Sequence, residues 1–550
     1  MHSADPIALE ILWGRLTAIV DEVAASMVRT AFSTILQETN DFAVVLTDDQ
    51  GRLVVQNTMT IPVFIATIPM TIRYALQQLP VELWKPGDVM ITNDPYIATG
   101  HKNDLTIITP VFQGGRLVAF MGNAAHSADI GGVLLGAASR ETFEEGIQVP
   151  LLKLYDAGQP NAVLHSMIRA NVRVPEHVIG DIESQVVSNA IGARRLQELM
   201  EDMELVELQS VAAALQDRAE QAMREAIRGL PDGTYRYDRV RLDGLEDPLV
   251  ICARVEVLGD EILVDYEGTS PQQSYAVNSA MPYTYAYTVY PLKCLLSPDL
   301  PNNDGAIRPI KVKAPPGSLL NPMSPAPLAG RALTGHAVVA SVFGAMRALL
   351  PDRVLAESGT PVYIAVLAGV NQHGRPFAIT LFANGGQGAQ AAQDGVSALS
   401  FPANVGNTPA EILAHQAPVE FLERELVPGS GGAGRSRGGL AQRVRFRIIG
   451  VLPITLSLLV ERLKFAPLGM ARGYPGRSGR VRIEPARPVN PKGHMLLRPG
   501  DIFTIETPGG GGFGDPCARD DAIRVHDVRE GYCLSWPSAP CADPDPDEEP

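Results

Sequence analysis

Residues 229–244, GLPDGTYRYDRVRLDG, mark the point where one sequence period stops and another begins. Before them, a stretch that starts NVRVPEHVIGDIESQVVSNAIGARRLQELMEDM at residue 171 and runs to Ala226 is dominated by Ala, Glu, Gln and Leu. These residue types lose little on entering a helix, and Pro175 stands where a helix can begin. After them, ICARVEVLGDEILVDYEG (251–268) alternates apolar and polar residues, the pattern of antiparallel strands in a second layer. The chain therefore reads as α+β, a large multidomain protein with mixed helical and antiparallel-sheet layers and a boundary near residue 228.

Toward the N-terminus, Asp5-Pro6 can cap and open a helix over IALEILWGRLTAIVDEVAASMVRTAF, whose apolar residues recur at spacings of three and four. DFAVVLTDDQGRLVVQN (41–57) predicts a hairpin from Phe42 to about Gln56 around a DDQG turn. A helix is expected over 66–80, and VMITN, DLTIITPVF and RLVAFMGNAAH then read as three strands. Toward the C-terminus, 278–350 looks helical at both ends of a Pro-rich middle, and 357–512 is rich in strands and turns, with VRFRIIG, LPITLSLLVERL and DIFTIETPGGGGFGDP as its clearest elements. Three regions follow: an N-terminal domain at 1–228 with long helices and a strand core; a glycine-rich, sheet-rich domain at 229–516 with a helical insertion near 278–350; and an extension at 517–550. The acidic, Pro-rich end CADPDPDEEP is expected to be disordered.

Composition narrows the function. With 550 residues, 45% apolar and 19% charged, the chain is long enough to bury a core without disulfides. Its five cysteines, Cys252, Cys294, Cys517, Cys533 and Cys541, form no CxxC pair, which argues against a thiolate metal site and against a secreted disulfide scaffold. A net charge of -15 disfavours nucleic acid and membrane surfaces as general partners. The arginines in GAGRSRGG and RGYPGRSGRVR read as loop residues or internal ion pairs. No export leader and no run of 18 apolar residues is apparent, so a soluble cytoplasmic protein is expected.

The strongest local signal is TNDPYIATGHKNDLTIITP (92–110) followed by MGNAAHSADIGG (121–132). His101 and Asp104 stand three positions apart at the entrance to a strand. His126 follows the next strand, so a hairpin returning to the same edge can bring it to the same ion. Two imidazoles and a carboxylate suit Zn²⁺ or Mn²⁺ and leave a position open for water or substrate. Asp41, at a helix-to-strand junction in ETNDFAVV, is a fourth ligand or a general base; Asp94 and Asp129 can orient imidazoles or steer protons. Each of these residues, taken alone, also fits a turn, a cap or a hydrogen-bonded histidine beside a glycine-rich bend. The segments FANGGQGAQ, PGSGGAGRSRGG and ETPGGGGFGDP lack a phosphate-loop or dinucleotide pattern, so no ATP site is expected on this chain; they read chiefly as turns that need positive φ and close backbone approach. There is no GxSxG of a serine hydrolase.

These motifs, with EEGIQVP (144–150), NVRVPEHVIGD (171–181), LPDGTY (230–235), PNNDGAIRPI (301–310) and SGGAGRSRGG (430–439), resemble the B subunit of the hydantoinase/oxoprolinase family, a group related to the large subunits of acetone and acetophenone carboxylases. The resemblance spans nearly the whole chain. It implies Asp41, His101, Asp104 and His126 as ligands of Zn²⁺ or Mn²⁺. It also implies a separate A-type subunit that binds ATP and Mg²⁺ and activates the substrate, in a hetero-oligomer such as a heterotetramer. The implied reaction is ATP-dependent opening of a hydantoin, a 5-oxoproline-like ring or another lactam; carboxylation of a ketone is one alternative, and a noncatalytic scaffold is another. Two departures stand beside the ligands: Lys102-Asn103 replaces a more usual Leu-Pro, and QETN (37–40) replaces an Arg-rich context.

Overall fold

Seven strands of the N-terminal region form one sheet: β1 (Phe42–Asp48), β2 (Leu53–Gln56), β3 (Val89–Thr92), β4 (Asp104–Gln113), β5 (Arg116–His126), β6 (Leu152–Asp156) and β7 (Gln159–Pro160), in the order β2-β1-β5-β4-β3-β6-β7. Every pairing in it is antiparallel. This computed structural model describes residues 6–205, 207–533 and 535. The expected cap at Asp5, the thiol of Cys541 and the acidic end at 541–550 lie outside the described residues.

The central strands are apolar without alternation because both faces of the sheet are covered. A Cβ on Gly122 would meet Ile68 of the helix Phe64–Gln78 at 2.8 Å, whereas the adjacent Met121 already touches the position where a Cβ on Gly192 would lie, in the helix Pro175–Asp202. Neighbouring residues of a strand point to opposite faces, so these two helices sandwich the sheet. The helix Pro6–Thr30 lies beside Pro175–Asp202, with Val23 also against Gly192. The predicted hairpin at 42–56 is present, and the helix expected over 66–80 runs from Phe64 to Gln78, two residues earlier at each end.

The helix Gln209–Arg228 ends just before the strand Gly233–Leu242, where the sequence period changes. That strand is one edge of a four-stranded sheet completed by Leu249–Leu258, Glu261–Asp265 and Ile310–Lys313, the last pair parallel. Helices Met281–Leu296 and Arg331–Met346 cross at a small-residue contact, where a Cβ on Gly335 would lie 1.9 Å from the Tyr283 ring. Beyond them, two four-stranded sheets, one containing Tyr363–Val370 and Ile454–Leu459 and the other Ala441–Ile448 and Ile502–Glu506, share a core of Leu367, Leu381, Leu456, Val444, Phe446 and Phe503. Among the described residues no helix is long and apolar enough to cross a membrane.

The glycine-rich segments provide the close backbone approach expected of them, with positive φ at Gly429 and Gly514. Gly385–Gly388, Gly431–Gly439 and Gly509–Gly512 lie against one another, joined by backbone hydrogen bonds between segments: Gly386 N–H to Pro508 O (2.9 Å), Gly439 N–H to Gln387 O (2.8 Å), Gly510 N–H to Gly439 O (2.9 Å) and Gly432 N–H to Gly510 O (2.8 Å). None of these glycines has positive φ. What they need is the absence of a Cβ, because one on Gly510 would stand 1.9 Å from Gln387 O and one on Gly386 1.9 Å from Gly439 O. The arginines of GAGRSRGG and RGYPGRSGRVR bond internally, as expected: Arg477 reaches Glu506 at 2.8 Å, and Arg437 donates to Gly438 O at 2.7 Å.

Packing of this kind is intolerant of a methyl group. Gly510→Ala should destabilise the protein by about 3 kcal/mol, since backbone cannot move aside as a side-chain end can. Gly14→Ala, in the helix Pro6–Thr30 with nothing within 4 Å of the new Cβ, should stabilise it by about 1 kcal/mol. Urea unfolding of the two variants beside the wild type checks both signs.

Candidate metal centre

Asp104 opens β4 and His126 closes β5, and the two are direct register partners across the ladder. Asp41 immediately precedes β1, where its carbonyl accepts the His126 backbone N–H at 3.0 Å. Three neighbouring strands thus deliver Asp41, Asp104 and His126 to one sheet edge. His101 arrives from the preceding loop, after Gly100 at φ +93.

The four side chains converge. Asp104 Oδ1 lies 2.7 Å from His101 Nε2 and 3.0 Å from His126 Nδ1, and His126 Nδ1 lies 3.9 Å from Asp41 Oδ2. Ligand atoms of His101, Asp104 and His126 all fall within 4.8 Å of one another, a spacing that can hold one ion. The second oxygen of Asp104 accepts from Arg331 Nη2 at 2.6 Å, which leaves Asp104 a single oxygen for a metal. The guanidinium carbon of Arg331 sits 3.9 Å from the centre of the Tyr283 ring, a cation over a π face.

Electrostatics fit a cation between these groups. Burial pushes the His101 imidazole down to about 4, helped by the Arg331 charge, so it is neutral at pH 7. A neutral imidazole has one N–H, yet His101 faces two acceptors, Asp104 Oδ1 through Nε2 and Ala329 O through Nδ1 at 3.4 Å. If Nδ1 keeps the proton, the Nε2 lone pair faces a carboxylate oxygen at 2.7 Å, an arrangement that a metal ion between them relieves. Burial alone would raise Asp104, but its interaction with His101, the Arg331 charge and the histidine hydrogen bonds outweigh it and hold the carboxyl well below its usual range. Asp41 has less compensation, and burial pushes it up to about 6. Burial would lower His126, but the hydrogen bond it donates to Asp104 and the charge of Asp41 prevail and raise it.

The triad opens on a cavity of about 60 Å³ whose lining includes Asp41, Tyr283, Tyr287, Arg331, His336, Leu135, Ile364, Phe382, Val405 and Leu459. A larger cleft of about 870 Å³ between Trp13, Arg218 and Leu300 contains none of the candidate ligands. Asp94 and Asp129 do not line the 60 Å³ cavity. Asp129 pairs with Arg173 at 2.7 Å and accepts the Gly131 N–H, while Asp94 accepts the Tyr96 N–H at 3.0 Å within its own turn. Lys102 is buried with its Nζ donating to Thr142 O at 2.6 Å, and the carbonyl of Asn103 accepts the Ser127 N–H at 2.7 Å. Neither lines the cavity, so the Lys102-Asn103 departure acts behind the ligands. Glu145, pushed up to about 7 by burial, accepts the amides of Leu328 and Ala329 and so fixes the loop that faces His101.

Arg331 and His336 escaped the sequence reading. The available signal was their isolation, because they are the ionisable residues of an otherwise apolar helix, RALTGHAVVASVFGAM.

A sequence profile described as hydantoinase B/oxoprolinase matches residues 5–516. The chain belongs to the hydantoinase B/oxoprolinase family. A relative, an uncharacterized protein of Methanocaldococcus jannaschii, is 32% identical over 541 residues, covering 96% of this chain and 93% of its own. Among solved structures, the ATP-dependent caprolactamase from Pseudomonas jessenii superposes with a TM-score of 0.88 at 25% identity and covers 98% of both chains. An acetone carboxylase chain shares the fold with a TM-score of 0.84 at 20% identity, covering 96% of this chain and 78% of that one.

Protons compete with a metal for these ligands, so affinity should depend on pH with a definite sign. Lowering the pH through about 6 protonates Asp41, and His126, raised above its ordinary value, holds its proton more tightly than a free imidazole. Affinity for Mn²⁺ or Zn²⁺ should therefore fall by roughly tenfold per pH unit for each competing proton as pH drops below about 6. Without metal, the raised Asp41 contributes stability that is complete below its ordinary value near 3.8 and is lost as pH rises through about 6. The rise in Tm on adding Mn²⁺ should consequently be larger at neutral pH than in mild acid; a thermal melt with and without metal at both pH values checks it.

Proposed function

We propose that this chain is the B-type subunit of an ATP-dependent cyclic amidase. Its substrate would be a hydantoin, a 5-oxoproline-like ring or another lactam, opened at a divalent metal held by His101, Asp104 and His126 with Asp41 as fourth ligand. The observation that carries this reading is the convergence of two imidazoles and a carboxylate on one buried cavity, in a chain that matches a caprolactamase over 98% of both lengths. ATP and Mg²⁺ belong, in this reading, to an A-type partner in a hetero-oligomer.

A Zn²⁺ or Mn²⁺ ion in this place supplies a Lewis acid that polarises a carbonyl oxygen and acidifies a bound water. The chain's own residues do the rest. His101 presents a neutral imidazole, and the orientation of the two histidines is set by Ala329 O for His101 and by the β4/β5 register for His126. Asp104 is held monodentate by Arg331. The apolar walls Leu135, Ile364, Phe382 and Leu459 exclude bulk water and strengthen every charge interaction inside. Asp41 is better placed than Asp94 or Asp129 to move a proton between the attacking water and the leaving nitrogen, because it lines the cavity and the other two are committed to a turn and to Arg173.

Elemental analysis of wild type, His101→Ala and His126→Ala tests the site directly. About one Zn or Mn per chain is expected in the wild type and is lost in both variants without loss of fold. The complex with its A-type partner should then hydrolyse ATP in step with ring opening, and either histidine variant should lower the rate by at least about a hundredfold. Incorporation of labelled bicarbonate in place of ring opening would identify a ketone carboxylase instead. Full activity of a metal-free complex would reduce this chain to a scaffold.

A further inference from the structure

A second cavity, of about 30 Å³, lies between Leu333, Ala337 and Phe343 of the helix Arg331–Met346 and Glu357, Thr360 and Arg462 on the segments that face it. It abuts the cavity at the triad. In the neighbouring pairs Ala332 and Leu333, Val362 and Pro361, and Ala403 and Pro402, the first residue lines the triad's cavity and the second lines this chamber; His336 lines both. Ala340, Ser358 and Phe401 are the half-buried members of the chamber's lining, which places its solvent side at those residues.

The polar wall of the chamber holds acceptors and donors that the protein does not use. Glu357 is 7% exposed. Its Oε2 accepts from Arg462 Nη1 at 2.7 Å and from the Leu468 N–H at 3.1 Å, while Oε1 is buried with no hydrogen-bond partner among the described residues. Arg462 already balances the Glu357 charge, so what Oε1 lacks is a neutral donor. Neither ring nitrogen of His336 is hydrogen-bonded to a described residue, and burial holds the imidazole down to about 3. As a neutral ring it can donate through one nitrogen and accept through the other. A water needs about 10–15 Å³ of such space, so the chamber has room for roughly two, whereas a lactam ring does not fit. We infer that this chamber is a buried water site, held by Glu357 and His336, through which the water consumed in ring opening reaches the metal cavity. This rests on the proposed function, because hydrolysis makes water the co-substrate and the divalent ion fixes where it is used. The apolar walls Leu135, Ile364, Phe382 and Leu459 keep bulk water out of that cavity, so a defined route has to supply each molecule consumed. His336 keeps a hydrogen bond to a passing water because its ring borders both spaces. Both side chains are positioning residues: they hold water and do not touch the substrate.

The experiment loads the full chain, with any subunit that co-purifies, with Mn²⁺ and follows the longitudinal relaxation of solvent water protons. The paramagnetic ion speeds that relaxation only as far as water exchanges at it, so the readout needs no substrate. Wild type should show a clear enhancement. Ala340→Leu fills the chamber, and His336→Phe keeps a ring against Tyr287 while removing both ring nitrogens. Each should lower the enhancement several-fold at unchanged Mn²⁺ content and unchanged Tm. Equal enhancement in wild type and both variants, or none in the Mn²⁺-loaded wild type, overturns the chamber as the water route. If neither variant folds, a crystal structure of the wild type carries the test: an ordered water within about 3 Å of Glu357 Oε1 is expected, and a chamber without one overturns the site. Elemental analysis is read first. Wild type that takes up no Mn²⁺ overturns the metal reading instead, and the crystallographic water then decides the chamber by itself. Failure of ring opening with the relaxation differences intact overturns the proposed reaction and supports the water route.

Discussion

The Asp104 carboxylate ties together parts of the chain that share no local sequence. One oxygen meets His101 and His126, and the other accepts from Arg331, more than two hundred residues further on. With 1% of its side chain exposed, it is an anion that must be fully compensated where it stands. Removing one partner of such a pair leaves a buried charge and costs about 3–5 kcal/mol. The β4/β5 register, the left-handed turn at Gly100 and the seating of the helix Arg331–Met346 on Tyr283 all have to be right for that compensation to be complete. Fold and site are in this sense one constraint.

The same economy governs the far side of the cavity. Its walls come from Ile61 and Val63 near the first sheet, from Tyr283 and Tyr287 on one helix, and from Ile364, Phe382 and Leu459 on the C-terminal sheets. In the same C-terminal region, glycine segments hydrogen-bond backbone to backbone with no room for a side chain. Close backbone packing of this sort is rigid because it has no rotamers to adjust. A small, dry cavity beside a fixed carboxylate and a fixed guanidinium favours preorganised chemistry on a compact substrate.

Much of this was legible in the residues themselves. The period change at 229–244 marks the passage from helix to sheet. The hairpin at 42–56 follows from two apolar runs around DDQG, and the turn between β4 and β5 returns His126 to the edge where Asp104 begins. Local physics suffices there, because strand alternation, turn chemistry and a three-residue separation are properties of short segments. Glycine content was also visible, but which glycines serve close approach and which serve positive φ was not, since both call for the same residue.

The sequence by itself determined the α+β class, the strand-loop-strand unit that carries His101, Asp104 and His126, and the pairing of imidazole with carboxylate that suits a divalent ion. Only the tertiary structure decided that Asp104 spends its second oxygen on Arg331, that His336 joins the same cavity, and that Asp94 and Asp129 stand outside it. Those outcomes depend on burial and on contacts between residues hundreds of positions apart. No local pattern encodes such contacts, because they exist only once the layers have packed and water has been removed from between them.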